Sequence, residues 1–175
     1  YYTPIVLANE LILKTYEVLI SENITEIIEP SAGNGSFSNQ IPDCIAYDLV
    51  PEQDNIIQAD FLKLDMSYKK GRLFIGNPPF GEKNKLIDDF YNKCCECGDY
   101  IAFVLPISCY KNDIKLYKFD LVYSEDLGLK LYTDRMLHCC FNIYKRPNSG
   151  KFNEKPDYTL NEITIIEHRR KKGDY

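Results

Sequence analysis

No apolar run in this 175-residue chain approaches the ~20 residues that span a bilayer. No signal-peptide pattern opens it either, although it starts at Tyr1 rather than Met. The expectation is a cytoplasmic domain with no membrane partner. Histidine is scarce, limited to His138 and His168, and no second Cys/His pair stands at ligand spacing beside Cys94-x-x-Cys97. Internal repeats and low-complexity segments are absent, so a repeat architecture is not expected. The seven cysteines are odd in number, and two pairs are adjacent (Cys94-Cys95 and Cys139-Cys140), which suits reduced thiols better than disulfides. Cys94 and Cys97 continue the helical spacing of Leu86, Ile87 and Phe90, so they read as core thiols, with zinc as the alternative. No metal is expected.

Apolar content of 45% and charged content of 27% are ordinary for one globular domain with a full core. Charge is unevenly spread. The first 144 residues carry 13 basic against 21 acidic side chains, and the remainder 8 against 5. The basic part holds Lys145-Arg146, Lys151, Lys155 and the run Arg169-Arg170-Lys171-Lys172. It reads as a solvated end or, alternatively, as a phosphate-contacting edge.

Apolar runs alternate with helical segments, the pattern of a parallel α/β sheet. Thr3 and Pro4 suit a helix start, as cap and first-turn residue, and Ile5, Ala8, Ile12, Tyr16 and Leu19 follow at helical spacing. Strands are expected at 24–28, 44–47, 56–57, 73–75, 101–105, 119–123 and 139–144. The runs 73–75 and 101–105 are apolar without alternation, as in strands covered on both faces. Residues 83–97 read as an amphipathic helix stopped by Gly98. Residues 148–156 read as a polar loop, and 163–166 as a small extra strand.

Glu29-Pro30-Ser31-Ala32-Gly33-Asn34-Gly35-Ser36-Phe37 directly follows the first strand. Gly33 and Gly35 remove side chains that would keep a ligand from the backbone, and the turn falls at the carboxyl edge, where open α/β sheets bind ligands. Asp48 ends the second strand, where a carboxylate can accept ribose hydroxyl protons; a solvated acid is the alternative. Asp60 and Phe61 end the third, placed for an adenine amino group and ring face. Gly76-Asn77-Pro78-Pro79-Phe80 follows the fourth. The prolines make this stretch rigid. Asn77 offers an amide oxygen and Pro78 a carbonyl, two acceptors able to hold both hydrogens of an NH2 group. Phe80 offers a flat face for a planar group.

In this order the elements resemble the amino-methyltransferase branch of the class I S-adenosylmethionine-dependent enzymes. The loop (Glu29, Pro30, Ser31, Ala32, Gly33, Gly35, Phe37) is similar to that family's cofactor loop. Asp48 with Leu49 matches its ribose acid, Asp60-Phe61 its adenine contact, and Asn77, Pro78, Pro79 and Phe80 its catalytic tetrapeptide. Tyr2-Thr3-Pro4 resembles its N-terminal cofactor motif, and with that motif first the order resembles the gamma group of N6-adenine DNA methyltransferases. The resemblance implies a Rossmann-like class I methyltransferase fold: a mostly parallel seven-stranded sheet with an antiparallel last strand and helices on both faces. It implies S-adenosylmethionine as cofactor, a catalytic domain over 1–147, and a basic tail or the start of a recognition region over 148–175. It implies DNA as partner, with adenine flipped out and methylated at N6. RNA adenine-N6 or guanine-N2, protein glutamine, and a non-catalytic subunit are the alternatives. The gamma group carries a long recognition domain, so the expectation is that a further domain or a partner subunit supplies recognition, or that the substrate differs.

Overall fold

A computed structural model of the chain describes residues 2–112 and 114–157. Seven strands form one sheet: β1 (Glu26–Glu29), β2 (Ile45–Asp48), β3 (Ile57–Gln58), β4 (Arg72–Gly76), β5 (Tyr100–Pro106), β6 (Asp120–Tyr132) and β7 (Arg135–Lys145). Their spatial order is β3-β2-β1-β4-β5-β7-β6. Neighbours from β3 through β5 pair in parallel, and β7 alone runs antiparallel, slotted between β5 and β6. The expected sheet is therefore observed, including its antiparallel last strand.

Among the described residues two α-helices cover opposite faces. Helix α1 (Ile5–Val18) buries Leu7, Ala8, Leu11 and Ile12 against Leu73 and Ile75 of β4 and Ala102 and Val104 of β5. Helix α2 (Lys85–Cys97) buries Ile87, Phe90, Tyr91 and Cys94 against Phe74, Ile101, Phe103 and Leu105, the alternate residues of the same strands. Side chains alternate across a strand, so a strand covered on both faces reads as an unbroken apolar run. Each fully buried aromatic or aliphatic side chain contributes about 1.5–3 kcal/mol by leaving water. Cys94 and Cys97 are core thiols, and burial pushes both thiols' pKa upward.

Several local expectations are corrected. The buried stripe of α1 is rotated from the expected one: Ile5 and Tyr16 face solvent, while Thr15 is buried with its hydroxyl donating to the Leu11 carbonyl. That internal bond lets a polar residue take a core position. Thr3 is not the cap, because Pro4 holds the cap position without a side-chain bond. Gly98 ends α2 in an extended conformation; a Cβ there would fall 2.8 Å from the Arg72 carbonyl oxygen, so close packing requires the glycine. The last two strands form a hairpin far longer than expected, turning at Thr133-Asp134, with register irregularities near Leu121 and Asp126. Its outer half exposes Leu129, Leu131 and Met136 to solvent beside Lys130 and Arg135, so apolar residues there do not mark a buried face.

Lys145 and Arg146 are not a phosphate edge. Lys145 pairs with Glu22, and Arg146 binds Asp99 and the carbonyls of Cys95 and Gly98 while its guanidinium lies over Tyr68, Phe119 and Phe152. The loop after β7 docks at the start of β6, with the Asn153 N–H donating to the Lys118 carbonyl and its side-chain amide to Asp120 Oδ1. The strand expected at 163–166 and the run Arg169 to Lys172 lie outside the described residues. Among the described residues no helix is long and apolar enough to cross a membrane.

Candidate functional site

The carboxyl ends of β1, β2 and β4 surround a cleft of about 150 Å3 together with the segment ahead of α1. From the expected site residues, Tyr2, Thr3, Glu29, Ser31, Ala32, Gly33, Phe37, Asp48, Asn77, Pro78 and Pro79 line it. Asn34 and Ser36 line it as well, with the Ser36 hydroxyl donating to Asn34 Oδ1 at 2.6 Å. Both sit inside the glycine turn, but their side chains carried no separate signal.

The turn between β1 and β2 is shaped by its two glycines, at φ +53° for Gly33 and +77° for Gly35, in the left-handed region that other residues avoid. A Cβ on Gly33 would fall 2.3 Å from Cε1 of Tyr2, so that ring packs directly on the loop backbone. Tyr2 is held at both ends. Its N–H donates to Thr133 Oγ1 at 2.6 Å, and its phenol donates to the Glu52 carboxylate. That carboxylate, with some help from burial, pushes the phenol up to about 12. Glu52 and Thr133 were not anticipated; Thr133 lies 131 residues from its partner.

Asp48 does more than line the cleft. Its Oδ2 accepts the Gly33 N–H and its Oδ1 the Val50 N–H, each at 2.8 Å, so it clamps the loop it was expected to face. An ionised carboxylate oxygen accepts more than one hydrogen bond, which leaves capacity for a hydroxyl donor.

Glu29 ends β1 at 2% exposure, and its Oε2 accepts the Ser38 N–H at 2.8 Å. Burial raises its pKa to about 7; hydrogen bonds from Ser38 and Phe37 oppose that rise, and nearby Asp48 adds to it. Gly76, at φ +148°, brings the β4 backbone against Glu29: a Cβ there would meet Glu29 Cγ at 3.2 Å.

Asn77 follows immediately. Its Nδ2 donates to Oγ1 of buried Thr3 at 3.2 Å, which fixes the amide so that the oxygen is the remaining group. Asn77 Oδ1 is buried and, among the described residues, has no hydrogen-bond partner. Leaving a buried acceptor unpaired costs about 1–3 kcal/mol, an expense that is recovered when a donor enters.

Seven expected residues stand outside the cleft lining. Phe61 is a core residue at 2% exposure, stacked on Phe90 and edge-on to Phe74, so it has no face for a ligand ring. Asp60 caps the 3-10 turn that holds Phe61, accepting the Leu62 N–H, and pairs with Lys63. Leu49 and Pro4 are exposed on the outer surface, and Pro30 is buried. Gly35 shapes the loop from behind, with a Cβ there 2.6 Å from the Asn39 amide. Phe80 packs partly on both core clusters.

The lining includes two carboxylates and, among the described residues, no basic side chain. With glycines that admit ligand backbone contact and an orphaned acceptor, these residues fit a ligand bearing hydroxyls and positive charge, beside a group that donates hydrogen bonds.

No protein-family model matches the sequence, and no curated protein does. Solved structures do. A putative RNA methyltransferase from Pyrococcus horikoshii superposes with a TM-score of 0.62 at 13% identity, over 83% of this chain and 87% of that one. The 23S rRNA methyltransferase ErmE gives 0.58 at 13%, over 85% and 70%. A putative class I S-adenosylmethionine-dependent methyltransferase from Listeria monocytogenes gives 0.55 at 13%, over 94% and 64%. At such identity the likeness shows the fold: this chain has the Rossmann-like fold of class I methyltransferases.

Proposed function

We propose that this chain is the catalytic domain of an S-adenosylmethionine-dependent methyltransferase that modifies an exocyclic amine, with N6 of adenine in DNA as the substrate. The observation that carries this reading is the buried, unpartnered Asn77 Oδ1 in a cleft bordered by a glycine turn. When bound, the cofactor supplies an electrophilic methyl group on a sulfonium.

The residues divide the work. Gly33 and the Asp48 carboxylate shape the place for the ribose and its hydroxyls, and Glu29 with Asp48 makes the cleft attractive to a cation. Thr3 holds the Asn77 amide. Asn77 Oδ1, with the Pro78 carbonyl in the same rigid turn, takes the two hydrogens of the substrate NH2. The nitrogen lone pair is then free to leave conjugation with the ring. Acceptors fixed beforehand also favour the positive charge that develops on that nitrogen. The exposed part of Phe80 is the stacking surface for the extruded base. No strong base is required, since a methylated, positively charged nitrogen loses its proton readily to water. His138 is engaged with Asp126 on the hairpin and takes no part.

The names of two structural neighbours favour RNA as a second reading. The N-terminal Tyr2-Thr3-Pro4 and its link through Thr3 to Asn77 favour the DNA reading. The test is methyl transfer from labelled S-adenosylmethionine to duplex DNA, single-stranded DNA, ribosomal RNA and protein extract, with mass spectrometry of the digests. N6-methyladenine in DNA is expected. Label in RNA or protein alone would overturn the substrate assignment and keep the chemistry.

A further inference from the structure

We propose that Glu29 is the residue by which the cleft prefers the charged methyl donor over the spent, uncharged thioether product. This inference rests on the reading that the cleft takes S-adenosylmethionine, and concerns what sets its affinity.

Glu29 lies at the carboxyl end of β1 beside the backbone that leads into Asn77, and its side chain is all but sealed from solvent. The groups that face it are few. Asp48 comes from β2, the Cys44 thiol from the loop ahead of that strand, Ser38 and Phe37 from the 3-10 segment, and neutral Asn77 from the β4 turn. Burial pushes the Cys44 thiol up to about 12, so it stays neutral near pH 7, and no basic side chain lines the cleft among the described residues. Among the described residues an ionised carboxylate here has no compensating cation. Glu29 is thus held at the edge of ionisation, near pH 7, by burial and the neighbouring Asp48.

A cation in the cleft removes that handicap. S-adenosylmethionine has one more positive charge than S-adenosylhomocysteine, and the difference is the sulfonium itself. Donor binding therefore drives a proton from Glu29 to solvent. Once the methyl group has left, the thioether no longer supports the ionised carboxylate; Glu29 takes a proton back and the product is held less tightly.

The experiment is calorimetric titration of the protein with each ligand at pH 6.5, in two buffers of different ionisation enthalpy. About 0.5 proton or more should be released per donor bound and close to none per product. From pH 5.5 to 7.5 donor affinity should rise about five- to twentyfold and product affinity less than about twofold. E29Q keeps an oxygen for the Ser38 N–H, and its donor affinity should become flat with pH and its preference for donor over product should shrink. Equal proton release for the two ligands, or an unchanged pH dependence in a folded E29Q, would overturn the assignment. If E29Q does not fold, the proton count on the unaltered protein decides alone. Failure of either ligand to bind at any pH would sink the cofactor reading and this inference with it, whereas pH-independent binding of both sinks only the inference.

Discussion

The two halves of the sheet are built on different principles. From β5 to β6 the strands are 7, 11 and 13 residues long, and Ile101 to Leu105 of β5 and Cys139 to Tyr144 of β7 are sealed in the core. From β3 to β4 they are two to five residues long. Between β1 and β4 the chain crosses over through three-residue 3-10 turns, with no α-helix. The cleft lies on this second half. Its loops are held by polar anchors: Asp48 on Gly33 and Val50, Glu29 on Ser38, Glu52 and Thr133 on Tyr2. Apolar packing makes one half a frame, and hydrogen bonds tie a ligand-shaped edge to it. Damage to the first half should unfold the molecule, and damage to the second should spare the fold and alter the ligand.

The largest effect expected is on the frame. Phe103→Ala removes a buried ring from the strand that both helices cover and should cost about 3–5 kcal/mol in denaturant unfolding. A loss below about 1 kcal/mol would mean the frame is not where stability resides. Next, Asn77→Ala should lower methyl transfer about 10²- to 10³-fold, as loss of one fixed polar group aimed at developing charge does elsewhere. Cofactor affinity should change by less than about threefold. Lost affinity with normal turnover would reverse the division of labour between Asn77 and the glycine turn.

Glu29 gives a smaller effect whose sign depends on pH. Its folded pKa, about 7, lies above its ordinary value of 4.5, so the stability tied to its proton is complete below pH 4.5 and is lost as pH rises through 7. At pH 8 E29Q should therefore be more stable than the unaltered chain without ligand, by up to about 3 kcal/mol, and at pH 4 nearly equal to it. A uniform offset across pH would show that the carboxylate is not the titrating group. The smallest change is Tyr2→Phe, which keeps the ring on Gly33 and loses the partly exposed bond to Glu52. It should shift stability by less than about 1 kcal/mol. A large loss of cofactor affinity would move Tyr2's role from ring to hydroxyl.

Legibility in the sequence follows the same division. β4 and β5 could be read because burial on both faces leaves unbroken apolar runs. The glycine turn and the Asn-Pro-Pro-Phe stretch could be read because each needs backbone that few residues provide. The phase of α1 was obscured by Ile5 and Tyr16, which fall at helical spacing with buried Ala8 and Ile12 yet face solvent. Phe61 looked like a ligand contact because its position at a strand end suits one, yet Phe74 and Phe90 claim its ring. Thr3 looked like a cap, and only the fold brings it to Asn77. Thr133 and Glu52 reach Tyr2 from distant parts of the chain, a pairing that no local pattern encodes.

The most direct measurement is the melting temperature of the chain with and without S-adenosylmethionine. If the cleft is a cofactor site, ligand at about 100 times its dissociation constant should add roughly 2.7 kcal/mol of stability and raise the midpoint by several degrees. An unchanged midpoint at millimolar cofactor would contradict that assignment and leave a methyltransferase fold serving as a scaffold.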